Sequence, residues 1–440
     1  MFDLILKGGM AVTPNGIEEA DIGVTNGRIT AIGALDAGKA GQVIDAKGLH
    51  VLPGCIDTQV HFREPGMEHK EDLSTGTAGA ALGGITGVFD MPNTKPSTTT
   101  PEALNDKLKR AQGRAWVEHA FYLGACAENV EQLAKWERLP GCAGVKLFMG
   151  SSTGTLLVDD KQTLLHIAHT SKRRMAVHAE DEERLKERRH LVEGGNATAA
   201  MHPVWRDEET AKLATWRLLD IAHAAKRLVH VLHITTAEEL EILARYRDIA
   251  SVEVTPQHLT LAAPECYERL GNYAQMNPPI RDARHREALW AAVRAGLVDC
   301  LGSDHAPHTR EEKDKPYPAS PSGMPGVQTL VPVMLDHVNA GRLSLLRFVD
   351  LVCSGPARLF GLIGKGSIRL GYDADFTLVD LKAKRTITNQ WMASRCGWTP
   401  FDGMSVTGWP MATIVRGNVV MYEGQLQGQP LGQPFRFYGC

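Results

Sequence analysis

Asp57-Thr58-Gln59-Val60-His61-Phe62-Arg63-Glu64-Pro65-Gly66 closes the apolar run from Leu49 to Ile56. A strand alternates its side chains, so Gln59, His61 and Arg63 are expected on one face where the chain leaves a buried strand. An imidazole and a guanidinium at a strand end suit a metal site beside an anion-binding site. Seven further apolar runs end near residues 90, 123, 148, 178, 233, 254 and 302. Helix-period segments fill most of the gaps between them. Thr100-Pro101-Glu102 opens one helix with an N-cap and a first-turn proline, and Thr236-Ala237-Glu238-Glu239 opens another, running to about Tyr246, with capping-box spacing. A third, from Asp181 to Val192, stops at Gly194-Gly195. Eight strands alternating with helices over roughly 250 residues predict an α/β fold of the (β/α)8 TIM-barrel type. No glycine-rich dinucleotide turn or P-loop supports an open doubly wound sheet.

The ends of the chain differ from its middle. Leu4–Gly9, Asp21–Val24 and Arg28–Gly33 read as short strands, with Asn26-Gly27 as a type I′ turn. Gly366–Ile368, Asp375–Asp380 and Met411–Val420 repeat that style, so the two termini are expected to build one small β-sandwich. The expected divisions are residues 1–52 and 365–440 for the sandwich and 53–364 for the barrel. A net charge of -3 over 440 residues argues against a nucleic-acid or anionic-membrane surface as the main partner. No apolar segment reaches the ~18 residues of a membrane span, and no secretory signal opens the chain. Eight scattered cysteines without a Cys-x-x-Cys pair read as reduced thiols of a cytoplasmic protein.

In a barrel the C-terminal strand ends converge on one mouth. The apolar runs deliver His61 and Arg63, then Asn93, Lys146, His178, His233 and finally Asp304 with His305 and His308. Alone, each has an ordinary explanation: a histidine hydrogen-bonded in the core, a lysine at a strand edge, an aspartate capping a turn. Together, His61, Lys146, His178, His233 and Asp304 match the nitrogen and oxygen donors of a zinc-type catalytic site. Lys146 must be neutral to take part; burial lowers a lysine pKa, and a neutral amine can add carbon dioxide to become an anionic carbamate.

Nine motifs carry a resemblance. They are Pro53–Asp57, His61–Gly66, Asp90–Thr94, Val145–Phe148, Val177–Glu180, Leu232–Ile234, Asn277–Arg281, Gly302–His308 and Ser354–Arg358. On them the chain resembles the amidohydrolase superfamily, and within it the class I dihydroorotases, along essentially its whole length. The resemblance implies a distorted barrel with a two-termini β-sandwich and one or two zinc ions. A carboxylated Lys146, His178 and His233 would hold one ion, and His61, Lys146 and Asp304 the other. It implies reversible hydrolysis of dihydroorotate to N-carbamoyl-aspartate in pyrimidine synthesis, with Asp304 moving the proton. Arg63 would clamp the substrate carboxylate, helped by Asn93 and His308, with Asn277 near the ring. It further implies a homodimer and a possible association with aspartate transcarbamoylase.

Gln59 stands where the superfamily usually places the first histidine of His-x-His. A carboxamide oxygen is a weaker zinc ligand than imidazole, so one metal position loses strength. A mononuclear enzyme, a binuclear one with a weakened position, and a non-catalytic scaffold all follow from that change. Hydantoinases, dihydropyrimidinases and allantoinases are the enzymic alternatives; their rings lack the carboxylate that Arg63 would bind. The charged run Arg310–Lys315, inside Thr309–Gly326, fits either a lid at the mouth or a solvated turn. His69, His119, His202, His223, His230 and His258 are expected to be structural or superficial, and His305 is assigned no role.

Overall fold

The computed structural model describes residues 1–150 and 156–439. Five strands open the chain: β1 (Phe2–Thr13), β2 (Gly16–Thr25), β3 (Arg28–Gly33), β4 (Ala40–Asp45) and β5 (His50–Pro53). Asn26 and Gly27 both take positive φ, 51° and 72°, and join β2 to β3 as the two-residue turn expected of Asn-Gly. Eight strands follow in the middle: β6 (Cys55–Val60), β7 (Ile85–Asp90), β8 (Glu118–Gly124), β9 (Cys142–Phe148), β10 (Met175–His178), β11 (Val229–Val231), β12 (Ala250–Val254) and β13 (Cys300–Leu301). The chain ends with β14 (Phe376–Thr386), β15 (Ser405–Val415), β16 (Asn418–Tyr422) and β17 (Gln425–Leu426).

The terminal strands form one nine-stranded mixed sheet in the order β17-β16-β15-β14-β5-β1-β2-β3, with β4 also on β1. β1 pairs with β4 through its first half and with β5 through Met10 and Ala11. The expected sandwich is therefore a continuous hydrogen-bonded sheet. Its core draws on both ends of the chain, with Leu4, Ile22 and Val24 clustered with Phe376, Leu378 and Ile414. Apolar alternation on these strands is what buries that one face.

The middle strands are all parallel in sequential order from β6 to β13, with helices between them, giving a nearly closed barrel. No ladder joins β13 to β6. Single bonds cross that seam instead: Ser303 N–H donates to Asp57 Oδ1 at 2.9 Å and His61 N–H to the His305 carbonyl at 2.7 Å. Phe89 of β7 packs edge to face with Tyr122, Phe360, Phe435 and Phe437, and the C-terminal tail runs beside the first residues of β8, where Pro434 bridges His119. Thr100 and Thr236 cap helices Pro101–Ala111 and Ala237–Leu243 as expected, the second ending before Tyr246. The segment from Asp181 is an α-helix only over Glu182–Arg188 before tightening into a 3-10 turn.

One buried ion pair fixes the strand end that opened the reading. Lys107 Nζ donates to Asp90 Oδ2 at 2.7 Å and to the Met91 carbonyl at 2.9 Å, and Asp90 Oδ1 accepts Phe62 N–H at 2.8 Å. Both side chains are almost wholly buried. Lys107→Met would strand the Asp90 charge, so a loss of about 3–5 kcal/mol in urea unfolding is expected. A loss below about 1 kcal/mol would show that Asp90 is held by its other donors.

Candidate active site

The candidate residues gather at the C-terminal strand ends in two groups. In the first, Asp304 Oδ1 lies 3.1 Å from His61 Nε2 and accepts Gln59 Nε2–H at 3.0 Å. His61 Nδ1 faces Asn93 Oδ1 at 2.8 Å. That oxygen only accepts, so Nδ1 carries a proton and Nε2 is the ring atom turned toward Asp304. Asn93 thus orients the imidazole, a contact the clamp assignment did not anticipate.

In the second group His178 Nδ1 and His233 Nε2 meet at 2.9 Å. His178 Nε2 donates to Glu180 Oε2 at 2.8 Å, and Arg206 holds that carboxylate through contacts of 3.0 and 2.6 Å. A carboxylate behind the imidazole fixes its tautomer and leaves Nδ1 as a lone pair aimed into the mouth, the usual support of a metal-binding histidine. Sequence reading missed both supporters; the acid two residues after a strand-end histidine was the available signal. Burial, followed by neighbouring charge, holds His233 well below the ordinary imidazole range; burial lowers His178 too.

Lys146 lies in electrostatic reach of both groups. Its charge lowers the pKa of His178 and His233, while Asp304 raises its own. Burial dominates and brings the Lys146 amine down to about 7. Nζ has no hydrogen-bond partner among the described residues and sits 4.3 Å from the Phe148 ring centroid. Gln59 Oε1 is likewise buried without a partner among them. These two unsatisfied atoms, beside the inward lone pair on His178, fit a bound cation and a modified lysine.

Alternation does not carry Arg63 onto the face of Gln59 and His61. β6 ends at Val60, its ladder to β7 slips between Asp57 and Val60, and Arg63 takes a left-handed φ of 66°. His233 and Asp304 are also left-handed, at 39° and 47°. Non-glycine residues in that region cost about 1–3 kcal/mol each and concentrate at functional positions. The turn still brings the Arg63 guanidinium beside His308. Arg63 Nε donates to the Pro307 carbonyl at 3.1 Å, and Nη2 lies 3.3 Å from His308 Nε2. Lys70 donates to His308 Nδ1 at 3.1 Å, so His308 Nε2 carries hydrogen and donates to the Ser322 carbonyl at 3.0 Å. The Arg63 Nη groups therefore have no acceptor there. Burial lowers the Arg63 pKa to about 10, still cationic at neutral pH, and no carboxylate among the described residues pairs with it.

Asn277 joins through a neighbour expected to be idle. His202 is buried, with Nε2 at 3.0 Å from Asn277 Oδ1 and 3.3 Å from Ser322 Oγ. It links Asn277 to Ser322 on the His308 side of the mouth, a buried structural place for this ring. His305 is also buried; its Nδ1 accepts Gly326 N–H at 3.1 Å and so ties the following loop down. That loop begins with Thr309 capping helix Arg310–Lys313, and Lys70 bridges His308 to Glu312 at 2.9 Å.

Lys313 is the loop's inner anchor, donating to the carbonyls of Pro321 at 2.7 Å and Gly323 at 3.2 Å. Burial lowers its pKa from 10.5 to about 7. The unfolded chain then binds more protons between these values, so Lys313 makes stability rise with pH from about 7 toward 10.5. Lys313→Met should flatten this rise in a thermal-melting series; an unchanged slope would assign it to other groups.

Residues 50–420 match the model of the amidohydrolase family. Dihydroorotase of Methanosarcina acetivorans is 35% identical, aligned over 98% of this chain and 94% of its own. L-hydantoinase of Paenarthrobacter aurescens is also 35% identical, over 98% of both chains. Among solved structures, L-hydantoinase (dihydropyrimidinase) from Arthrobacter aurescens superposes with a TM-score of 0.93 at 32% identity, covering 99% of this chain and 100% of that one.

Proposed function

The chain belongs to the amidohydrolase family and is a hydrolase of cyclic amides; from that premise we propose that it is a dihydroorotase, opening the ring of L-dihydroorotate reversibly to N-carbamoyl-L-aspartate. The observation that carries the choice of substrate is Arg63: a buried cation at the mouth that forms no ion pair among the described residues. A buried charge left alone is costly, and a ring bearing a carboxylate satisfies it.

The fitting cofactor is zinc, held by carboxylated Lys146, His178 and His233, with His61 and Asp304 completing a second position. A bound divalent ion supplies acidification of the attacking water and polarisation of the ring carbonyl. The side chains supply the rest. Asp304 takes a proton from the water and returns it to the ring nitrogen as the carbon–nitrogen bond breaks. Arg63 and His308 hold the carboxylate, Asn93 fixes His61, and Asn277 stands beside the ring, steadied by His202.

Gln59 makes the second position the weaker one, because its amide already donates to Asp304 Oδ1. Gln59→His should raise the metal bound per chain; unchanged stoichiometry would show that His61 and Asp304 no longer define a position for an ion. The function itself is tested by measuring metal content and dihydroorotate turnover on one preparation, with a hydantoin and a dihydropyrimidine beside it. The likeness to L-hydantoinase favours the hydantoin as the second reading. Dihydroorotate turnover well above the other two is expected. Preference for a carboxylate-free ring would overturn the assignment, and no metal with no turnover would support the scaffold.

A further inference from the structure

We propose that His230, Glu253 and Cys300 form a second, closed metal site inside the barrel, below the mouth, built for a zinc-type divalent cation. The three come from β11, β12 and β13, and all are fully buried. His230 Nε2 lies 3.3 Å from Glu253 Oε2 and 3.4 Å from Cys300 Sγ, and Cys300 Sγ lies 3.8 Å from Glu253 Oε2. Zinc bonds of about 2.0 Å to nitrogen and oxygen and about 2.3 Å to sulfur, set tetrahedrally, give edges of about 3.3–3.6 Å between ligands. The two edges at His230, 3.3 and 3.4 Å, match that size, and the Cys300–Glu253 edge of 3.8 Å is slightly wide.

Its proton arrangement also suits a cation. Ser251 Oγ donates to the Val229 carbonyl at 3.2 Å and accepts from Arg174 Nη1 at 3.1 Å. It therefore accepts from His230 Nδ1–H at 2.8 Å, which leaves His230 Nε2 as a lone pair facing the carboxylate and the sulfur. In the metal-free cluster the Cys300 thiol proton is shared toward Glu253 Oε2 and His230 Nε2, and exchanging it for a divalent ion would bring all three ligand atoms onto one cation. Among the described residues no lysine or arginine pairs with Glu253; its polar neighbours are His230, Cys300 and Thr58, whose hydroxyl donates to Oε2 at 2.9 Å.

Two observations independent of the triangle point the same way. Glu253 Oε1 is buried without a partner among the described residues. Residue 302 is glycine, where a Cβ would come within 2.6 Å of the Glu253 carboxyl group, so the backbone leaves room for that carboxylate. Imidazole, thiolate and carboxylate together with a divalent ion sum to zero charge. Burial and Glu253 raise the Cys300 thiol well above its ordinary range in the metal-free cluster, so uptake of the ion releases the thiol proton. Such an ion would staple the three strands beside the β13–β6 seam, where β13 is only two residues long and no ladder closes the barrel. Thr58 of β6 already reaches across that seam to Glu253.

The test separates this site from the mouth, because the proposed mouth ligands include no sulfur. Protein produced with cobalt(II) should show a sulfur-to-cobalt charge-transfer band in the near-ultraviolet, absent from Cys300→Ser and from Cys300→Val but retained by His178→Asn. X-ray absorption of the zinc form of the unaltered protein, which needs no variant, should show a sulfur neighbour at about 2.3 Å. Cobalt bound without the band, or zinc without a sulfur neighbour, would overturn the buried site while leaving the mouth assignment standing. Absence of all bound metal would overturn both.

Discussion

Arg63→Ala is expected to lower kcat/KM for dihydroorotate by roughly two to three orders of magnitude, while turnover of a carboxylate-free cyclic amide stays within a few fold. The guanidinium is buried and cationic, and its terminal nitrogens lack acceptors among the described residues. Its single backbone bond, Nε to the Pro307 carbonyl, aims the planar fork rather than satisfying it. Removing the fork leaves a substrate carboxylate desolvated and unpaired, a cost of about 2–5 kcal/mol when one partner of a buried charged pair is truncated. Arg63→Lys should recover only part of the loss, since a point charge cannot make two parallel bonds to a carboxylate. Equal losses on charged and uncharged rings would instead show that Arg63 holds up the loop through Pro307 and reads nothing in the substrate.

Arg63 also marks the limit of what residue order can say. The barrel was legible because most strands are largely apolar runs separated by helix-period segments, and every predicted run end falls near a strand end. The histidines were legible because strand ends of a parallel barrel share one mouth. Conformation at those ends was not. Left-handed backbone at Arg63, His233 and Asp304 has no local signature in non-glycine residues, since only the surrounding packing can force it. Long-range partners were hidden for the same reason. Arg206 reaches Glu180 across 26 positions, and His202 reaches Asn277 across 75, separations that no spacing rule connects. The small sheet shows the converse: its membership was readable from turn and strand signals, but neither the division of β1 between β4 and β5 nor the register slip against β2 between Leu6 and Gly9 has a local signature.

Lys146→Arg should fold normally yet lose most of its bound metal and at least about three orders of magnitude in kcat/KM, a larger effect than a cation-for-cation exchange would produce at an ordinary position. A lysine serving only as a buried positive charge would tolerate arginine better than a lysine serving as a nucleophile toward carbon dioxide. The second role fits what is seen: Nζ has no hydrogen-bond partner among the described residues, lies over the Phe148 ring, and its charge opposes protonation of His178 and His233. Addition of carbon dioxide to the neutral amine would form a nitrogen–carbon bond and release one proton, turning an uncharged amine into an anion with two oxygens. That single change converts repulsion of His178 and His233 into a shared preference for a metal ion. Native mass measurement should then find the unaltered protein heavier by one carboxylate, lost on acidification, and Lys146→Arg without it. Full metal content and normal turnover in Lys146→Arg would leave the mouth to its imidazoles and Asp304 alone.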